Sequence, residues 1–368
     1  MAVPLRVARP VMAVMCLSSP LELYDAHGLQ PLRLTGGHVS TERLASSYLP
    51  PVMCPMLRST LGSISVSQLG GSSDSGEQFA GYVVPSTCDW VTRFGDLMSL
   101  VGLKAAPTHN INSPRIKNSL ESMEAWLAEV RSLSNFLSKV SGAALTRKSL
   151  NTSIALYREA FLAISDLIEL KRRGKIPEIW FLVVSGSFLM DLVANWTVKV
   201  RKLLDKLSSN FSNSADLSFP PIFLAGSPIV FPNFKIPRLI EEAGLRVVMD
   251  DLCSSERVLP GPTHLAEDTK DGVTKALAQR YHLGCLCPTF ADDDRRINGI
   301  VSPERLKIIR GVVFHVLKGC HPFDLESMVL EKKIKESGLK FIRIETDYTK
   351  EDGPTILTRL EAFRATLH

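Results

Sequence analysis

The stretch IEEAGLRVVMDDLC, residues 240–253, contains the signals that decide the fold class. A helical pattern runs to Ala243, and Gly244 suits the left-handed backbone position that closes a helix. The apolar run Arg246–Met249 that follows is typical of a strand buried on both faces. A helix followed so closely by a strand of this kind predicts one α-to-β joint of a parallel α/β sheet.

Two further joints of the same kind lie near the two ends of the chain. Gly28-Leu29 stands before an apolar run at Pro31–Leu34. Gly338-Leu339 stands before another apolar run at Lys340–Ile344. Both ends of the chain are therefore predicted to have α/β character. Short apolar runs ahead of the helices complete the units, and we predict strands at Val11–Leu17, Ile222–Ala225 and Val312–Leu317.

The middle of the chain differs because it is helical in period and poor in strand signals. Apolar residues recur at three- and four-residue spacing through Ser119–Val140 and Ser153–Arg172. We therefore predict an α/β fold with two Rossmann-like parallel-sheet domains and a helical segment between them. The predicted boundaries are 1–112 for the N-terminal α/β domain, 113–215 for the helical segment and 216–368 for the C-terminal α/β domain. Two polar stretches, 70–76 and 208–221, are expected to be a surface loop and a linker.

The composition is that of an ordinary globular protein. The 368 residues are 45% hydrophobic and 22% charged, which is enough apolar material for a sizeable core. A net charge of +5 is too small to indicate a nucleic-acid-binding surface. The apolar stretch Ile179–Trp196 contains Asp191, which would lie at the middle of a bilayer, so we expect a buried helix and no membrane partner. The run Val11–Leu17 is interpreted as a first strand and not as a signal sequence.

The number of cysteines indicates the cellular compartment. An odd number in a long chain without a secretory leader argues against a disulfide framework and favours a reducing, cytoplasmic location. In that compartment, clustered cysteines indicate metal binding or catalysis. The seven cysteines are Cys16, Cys54, Cys88, Cys253, Cys285, Cys287 and Cys320.

Three cysteines directly follow predicted strands. Cys88 follows the strand at 82–84, Cys253 follows Arg246–Met249, and Cys320 follows Val312–Leu317. Ligands of open α/β sheets bind outside the carboxyl ends of the strands, so these thiols are aimed at the edge where a ligand binds. Cys54 lies in a turn-rich stretch that can reach the same edge. Convergence of thiolates from distant parts of a chain is what an iron–sulfur cluster requires.

The spacing of the cysteines leaves several interpretations open. No compact ferredoxin run exists, and Cys285-Leu286-Cys287 is the one close pair. Buried structural thiols, a four-thiolate zinc site and a Cys320–His321 catalytic pair all remain alternatives. The run Asp292–Asp294 is expected to be a solvated loop or a helix cap, and Cys16 is expected to lie in the core within the first strand. No dinucleotide or nucleotide-binding glycine motif is present.

Motifs spread over most of the chain carry a family resemblance. Together they resemble the 2-hydroxyglutaryl-CoA dehydratase D-component family, which includes 2-hydroxyacyl-CoA dehydratase and benzoyl-CoA reductase subunits. The likeness is weakest from about 95 to 215. The motifs are Pro20-Leu21-Glu22 through Gly28-Leu29-Gln30-Pro31, Met53-Cys54-Pro55, Pro85-Ser86-Thr87-Cys88-Asp89, Val247 to Cys253, Gly319-Cys320-His321-Pro322-Phe323-Asp324, Ile344-Glu345-Thr346-Asp347-Tyr348 and Thr358 to Phe363.

The resemblance implies a cofactor, partners and a reaction. It implies a 4Fe-4S cluster held by Cys54, Cys88 and Cys320, in an oxygen-sensitive subunit that pairs with a paralogous subunit or with its own copy. It also implies a separate ATP-hydrolysing iron–sulfur activator protein that supplies a low-potential electron. The implied reaction is reduction of an acyl-CoA thioester, leading to 2-hydroxyacyl-CoA dehydration or aromatic acyl-CoA reduction. No catalytic residue is identified by the sequence.

Three further cysteines depart from the three-cysteine pattern. A branch of the family holds a double-cubane cluster, which needs more thiolates, and its members resemble homodimers that reduce small molecules. Cys253, Cys285 and Cys287 can supply those thiolates, or they can be packing residues. Two other hypotheses stand beside the acyl-CoA and double-cubane ones. One is a non-catalytic or zinc-stabilised scaffold subunit that pairs with a catalytic sister chain, and the other is a plain α/β protein with buried thiols.

Overall fold

The computed structural model describes residues 9–69, 79–100, 106–210, 218–291 and 294–367. The predicted surface loop at 70–76 lies outside these ranges, and so do residues 211–217 of the predicted linker. Asp292 and Asp293 also lie outside them, whereas Asp294 precedes a helix and pairs with Lys333 at 2.5 Å.

The first sheet has four parallel strands in the order β2-β1-β3-β4. Its short strands are buried on both sides where β1 and β3 cross the centre, as a parallel sheet covered by helices requires. The strands are β1 Val11–Val14, β2 Gln30–Arg33, β3 Gly81–Pro85 and β4 Thr108–Ile111. The helices are α1 Leu21–Ala26, α2 Val39–Leu44, α3 Pro55–Leu69, α4 Asp89–Thr92 and α5 Phe94–Leu100, with a short 3-10 turn at Ala45–Ser47.

Four helices follow the first sheet and form the predicted helical segment. They are α6 Leu120–Ser141, α7 Arg147–Arg172, α8 Glu178–Gly186 and α9 Val193–Asn210. The apolar periodicity of α6 is explained by its buried face, which includes Trp126, Val130, Leu133 and Leu137. No helix in the described ranges is long and apolar enough to cross a membrane.

One expectation in this segment is wrong. The stretch Ile179–Trp196, predicted as a single buried helix, is divided between α8 and the start of α9. The break contains Leu189 with φ +68°, a left-handed conformation that ends a helix. Trp180 is 65% exposed, so the high apolar content of this stretch does not reflect complete burial.

The second sheet repeats the topology of the first, with the order β6-β5-β7-β8 and all pairs parallel. Its strands are β5 Pro221–Gly226, β6 Arg246–Asp250, β7 Gly311–Leu317 and β8 Lys340–Thr346. Its helices are α10 Lys235–Glu242, α11 Lys270–Gly284, α12 Arg295–Ile300, α13 Pro303–Leu306, α14 His321–Glu336 and α15 Gly353–Arg364. The predicted α/β fold with two parallel sheets and intervening helices is confirmed, while the residue boundaries of the domains stay a prediction.

The three predicted α-to-β joints are also confirmed. Gly28, Gly244 and Gly338 all have positive φ, between +70° and +83°, and each is separated from the following strand by a single leucine. Only glycine adopts this conformation without a steric penalty, which explains why a glycine stands at each joint.

The helical segment packs on parts of both halves of the chain. The largest apolar cluster runs from β1 and β3 through α6 and α7 to α11. Within it, the indole nitrogen of Trp126 donates a hydrogen bond to the carbonyl of Ala278 at 2.8 Å. The two halves also meet directly, since the Tyr348 hydroxyl donates to the carbonyl of Gly36 at 3.0 Å. These contacts fix the loops at the carboxyl ends of the strands relative to one another.

Candidate functional site

A cavity of about 320 Å³ lies where the loops of the two sheets meet. All seven cysteines of the chain line it, although they come from loops separated by up to 304 positions, from Cys16 to Cys320. Its walls are otherwise largely apolar, with Leu57, Trp90 and Phe323 among them. Four of these cysteines were predicted to lie at one shared edge, and they line this one cavity: Cys54, Cys88, Cys253 and Cys320. The pair Cys285 and Cys287 lines the same cavity.

The topology of the sheets explains this position. In each sheet the strand order reverses between the two central strands, β1 and β3 in the first and β5 and β7 in the second. A crevice opens at the carboxyl ends of such strands. Cys16 follows β1, Cys88 follows β3 and Cys320 follows β7, so three cysteines come from these switch points.

Cys54, Cys88 and Cys320, the first thiol group, each stand immediately before a helix, at the N-termini of α3, α4 and α14. The amides of Met56 and Leu57 are directed at the Cys54 sulfur, and the amide of Phe323 is directed at the Cys320 sulfur. Free amides at a helix N-terminus stabilise negative charge, so these positions favour the thiolate that a metal requires.

One glycine brings two loops of the first thiol group together. Gly319 has φ +73°, and a Cβ placed on it would lie 2.2 Å from the carbonyl oxygen of Val52. The loop that carries Cys320 therefore packs backbone to backbone against the loop that carries Cys54. Any larger residue at 319 would push the two loops apart.

The three thiols of the first group differ in the direction of their pKa shifts. The Cys320 thiol donates a hydrogen bond to the Cys54 sulfur, and this bond lowers the pKa of Cys54 and raises that of Cys320 well above its usual value. Burial raises the pKa of the Cys88 thiol. Cys54 is thus the thiol most easily deprotonated when a metal enters.

The second thiol group consists of Cys16, Cys253, Cys285 and Cys287 on the same cavity. The expectation that Cys16 lies within the first strand is wrong, because β1 ends at Val14 and Cys16 turns into the cavity beyond it. Burial raises the pKa of Cys16, raises that of Cys285 to about 12 and raises that of Cys287 further. Without a bound cation, the thiols of Cys16, Cys285 and Cys287 stay protonated at neutral pH.

Two arginines that were not among the predicted site residues contact this second group. At the end of β2, the Nη2 atom of Arg33 donates to the Cys253 sulfur at 3.3 Å and its Nη1 atom donates to the Cys253 carbonyl at 2.9 Å. Arg257 donates to the carbonyl of Asp251, two residues before Cys253, and to the carbonyl of Leu286, which separates Cys285 from Cys287. A lone arginine in a strand carries no sequence signal for such a role.

A buried ion cluster supports the loop behind Cys253. The Lys171 ammonium is completely buried and lies 2.5 Å from Asp250, 2.8 Å from Glu256 and 2.9 Å from Glu178. It therefore ties α7 and α8 to the loop 250–257. Burial raises the pKa of the Glu178 carboxyl to about 8, so this group is largely protonated at neutral pH.

The other predicted arrangements have less support. Within the described ranges, no three histidine, cysteine, aspartate or glutamate side chains converge closely enough to bind one metal ion. This argues against a single zinc ion, whose ligands must all reach one centre. A cluster binds each thiolate through a different iron atom and so accepts thiolates that stand farther apart. The His321 side chain is exposed, with its ring 6.3 Å from that of Trp90.

The donor set fits an iron–sulfur cluster. All seven side chains are thiols, the ligands that iron–sulfur chemistry selects, and the walls around them are largely apolar. The amides at the helix N-termini and the Arg33 guanidinium supply hydrogen bonds to sulfur. Hydrogen bonds of this kind tune the potential of a bound cluster.

Known proteins resemble this chain over most of its length. The family model for 2-hydroxyglutaryl-CoA dehydratase, D-component, matches residues 16–367. The chain is 25% identical to the putative dehydratase subunit YjiM of Escherichia coli (strain K12), over 96% of this chain and 90% of that protein. It is 24% identical to the (R)-phenyllactyl-CoA dehydratase beta subunit of Clostridium sporogenes, with the same coverage. It is 23% identical to a benzoyl-CoA reductase subunit of Thauera aromatica, over 94% of this chain and 87% of that protein. The chain therefore belongs to the 2-hydroxyglutaryl-CoA dehydratase D-component family.

Proposed function

We propose that this chain is an iron–sulfur redox subunit that accepts a low-potential electron and uses it to reduce an acyl-CoA thioester. The observation that carries the proposal is the convergence of seven thiols on one cavity at the switch points of two parallel sheets. Relatives named as dehydratase and reductase subunits support the choice of reaction, which is 2-hydroxyacyl-CoA dehydration or aromatic acyl-CoA reduction.

The first thiol group, Cys54, Cys88 and Cys320, would hold a 4Fe-4S cluster. When bound, such a cluster supplies one-electron transfer at a potential set by its ligands and surroundings. The chain's own contribution is to keep three thiolates at helix N-termini, where backbone amides stabilise their charge. Its apolar walls exclude water and lower the local dielectric around the site.

The electron would come from a separate protein. In the sequence, no nucleotide-binding glycine motif is present, so ATP hydrolysis would be the task of an iron–sulfur activator partner. The relatives are named as subunits, which supports pairing with a paralogous subunit or with a second copy of this chain. Seven free thiols support a reducing compartment, the cytoplasm.

A second candidate is favoured by a specific observation. The second thiol group lines the same cavity as the first, so Cys253, Cys285 and Cys287 are available as ligands of a larger, double-cubane cluster. A partly buried arginine beside each of these loops would be less favourable next to neutral packing thiols than next to thiolates. On this interpretation the protein is a homodimeric reductase of small molecules.

Substrate turnover tests the proposal and separates the two candidates. Anaerobically purified protein is reduced with Ti(III) citrate, or with an ATP-dependent activator from a related system, and mixed with a 2-hydroxyacyl-CoA or benzoyl-CoA. Mass spectrometry should detect dehydrated or ring-reduced thioester, and Cys88→Ser should abolish it. Ser153→Ala is the matched control, since that buried hydroxyl donates to the Glu22 carbonyl away from the cavity. Cluster-containing protein that leaves every thioester unchanged would contradict the acyl-CoA proposal and favour the second candidate.

A further inference from the structure

The two thiol groups differ in the charges around them. The neighbours of the first group are backbone amides, its own members, the Ser227 hydroxyl and the Asp89 carboxylate. The second group is contacted by two guanidinium groups, those of Arg33 and Arg257, which we call the cationic clamp. Helix N-termini carry about half an elementary charge each. Each guanidinium carries a full charge at every accessible pH, so the second group lies in the more positive environment.

Arg33 has no carboxylate partner among the residues that the structure describes. Its hydrogen bonds go to the sulfur and the carbonyl of Cys253, and its Nε atom is buried without a partner. The guanidinium group therefore donates hydrogen bonds to two atoms of Cys253, the carbonyl oxygen and the sulfur, and places positive charge beside the sulfur. A partly buried arginine without a carboxylate partner favours an anionic group beside it.

Arg257 joins two cysteine loops. Its guanidinium bonds the Asp251 carbonyl on one loop and the Leu286 carbonyl on the other, both neutral acceptors. The nearby Asp251 carboxylate pairs with the buried Arg296, which also pairs with Glu326. The positive charges of Arg33 and Arg257 thus exceed the negative charge that described carboxylates offer them in this part of the cavity.

We infer that the cationic clamp holds an anionic metal–sulfur group on the second thiol group and makes it easier to reduce than the metal–sulfur group on the first. The inference rests on the proposed function, in the form in which a double-cubane cluster occupies both thiol groups. Thiolates bound to iron supply the negative charge that the clamp lacks, and a positive environment stabilises the reduced state, which carries one more negative charge. An electron supplied by a low-potential donor would then reside preferentially on the metal–sulfur group of the second thiol group, with no bond made or broken.

The test is a potentiometric titration of anaerobically reconstituted protein, followed by electron paramagnetic resonance, with iron and acid-labile sulfide measured on each sample. Arg33→Gln removes the charge, Arg33→Lys keeps the charge without the fork, and Arg9→Gln is the matched control. Arg9 is a partly exposed arginine of the same half that pairs with Asp25 at 2.6 Å and does not line the cavity.

We expect two reduction steps in the unmodified protein, and a lower midpoint potential for the higher step in Arg33→Gln but not in the Arg9→Gln control. Arg33→Lys should lie between Arg33→Gln and the unmodified protein, and loss of about half the iron from Arg33→Gln alone would also support the clamp. Unchanged midpoints and iron content in Arg33→Gln, or a shift of the lower step alone, would overturn the inference. A protein with about four irons would overturn it while leaving the acyl-CoA proposal standing, whereas a protein that takes up no iron would contradict the proposed function itself.

Discussion

Replacement of Lys171 by methionine should destabilise the protein strongly, because this ammonium is the only cation within 3 Å of three buried carboxyl groups in the described structure. The Lys171 and Asp250 side chains are both completely buried, and Asp250 also accepts from the Ser255 hydroxyl at 2.6 Å. Methionine keeps the length of the side chain and removes the charge. The Asp250 carboxylate would then be left buried without its cation.

The expected cost can be compared with that of an exposed pair. Breaking a buried ion pair by removing one partner costs about 3–5 kcal/mol, because the remaining charge is buried and uncompensated. Lys199 pairs with Asp191 at a similar distance, 2.6 Å, but its side chain is 72% exposed. Removing such a surface partner costs about 0–1 kcal/mol. Lys199→Met is therefore the matched control, and the two variants should differ by about 3 kcal/mol.

Urea-induced unfolding followed by circular dichroism measures this difference. The Lys171→Met midpoint should fall well below that of Lys199→Met, with similar slopes if the denatured state is unchanged. The penalty should also shrink at acidic pH, where the orphaned carboxylates become protonated. If Lys171→Met is too unstable to purify, Lys171→Arg, which keeps the charge, should restore folded protein. Equal midpoints for Lys171→Met and Lys199→Met would refute the assigned role of the cluster.

Two further predictions concern the loops of the first thiol group and the pH dependence of stability. Gly319→Ala should lower the iron content of reconstituted protein, because φ is +73° there and a Cβ would lie 2.2 Å from the Val52 carbonyl oxygen. Gly353→Ala is the control, because a Cβ at that position meets nothing within 4 Å. Equal iron content in both variants would contradict the packing argument. His315 is buried in β7, and burial lowers its pKa to about 4. In the unfolded chain the His315 imidazole binds a proton below its ordinary pKa of about 6.5, whereas in the folded chain it stays neutral down to about pH 4. The contribution of His315 to the free energy of unfolding is therefore complete above about pH 6.5 and is lost as the pH falls to about 4. His315→Asn should reduce the loss of unfolding free energy between pH 6.5 and 4 by about 3 kcal/mol, and an unchanged pH profile would count against it.

Local chemistry made most of the fold predictable. The glycines at 28, 244 and 338 marked α-to-β joints because a positive φ selects glycine, and the apolar runs after them became strands. The strand-end positions of Cys88, Cys253 and Cys320 predicted a shared edge because parallel strands end on the same side of a sheet.

Long-range geometry accounts for what the sequence did not reveal. The apolar neighbours of Cys16 predict a strand at this position, yet the strand ends two residues earlier and the thiol lines the cavity. The roles of Arg33 and Lys171 depend on contacts across 220 and 79 positions, which no local pattern encodes. The division of Ile179–Trp196 into two helices likewise depends on the left-handed backbone of Leu189, and leucine is not a residue type that predicts this conformation.

The content of iron and acid-labile sulfide per chain, after strictly anaerobic purification, tests the central claim most directly. The convergence of seven thiols on one cavity predicts a coloured protein with about four irons if the first thiol group alone is occupied, and about eight if both groups are. Cys285→Ser should leave the iron content unchanged in the first case and lower it in the second. A colourless protein that stays free of iron after anaerobic reconstitution would contradict the claim that this cavity is an iron–sulfur site.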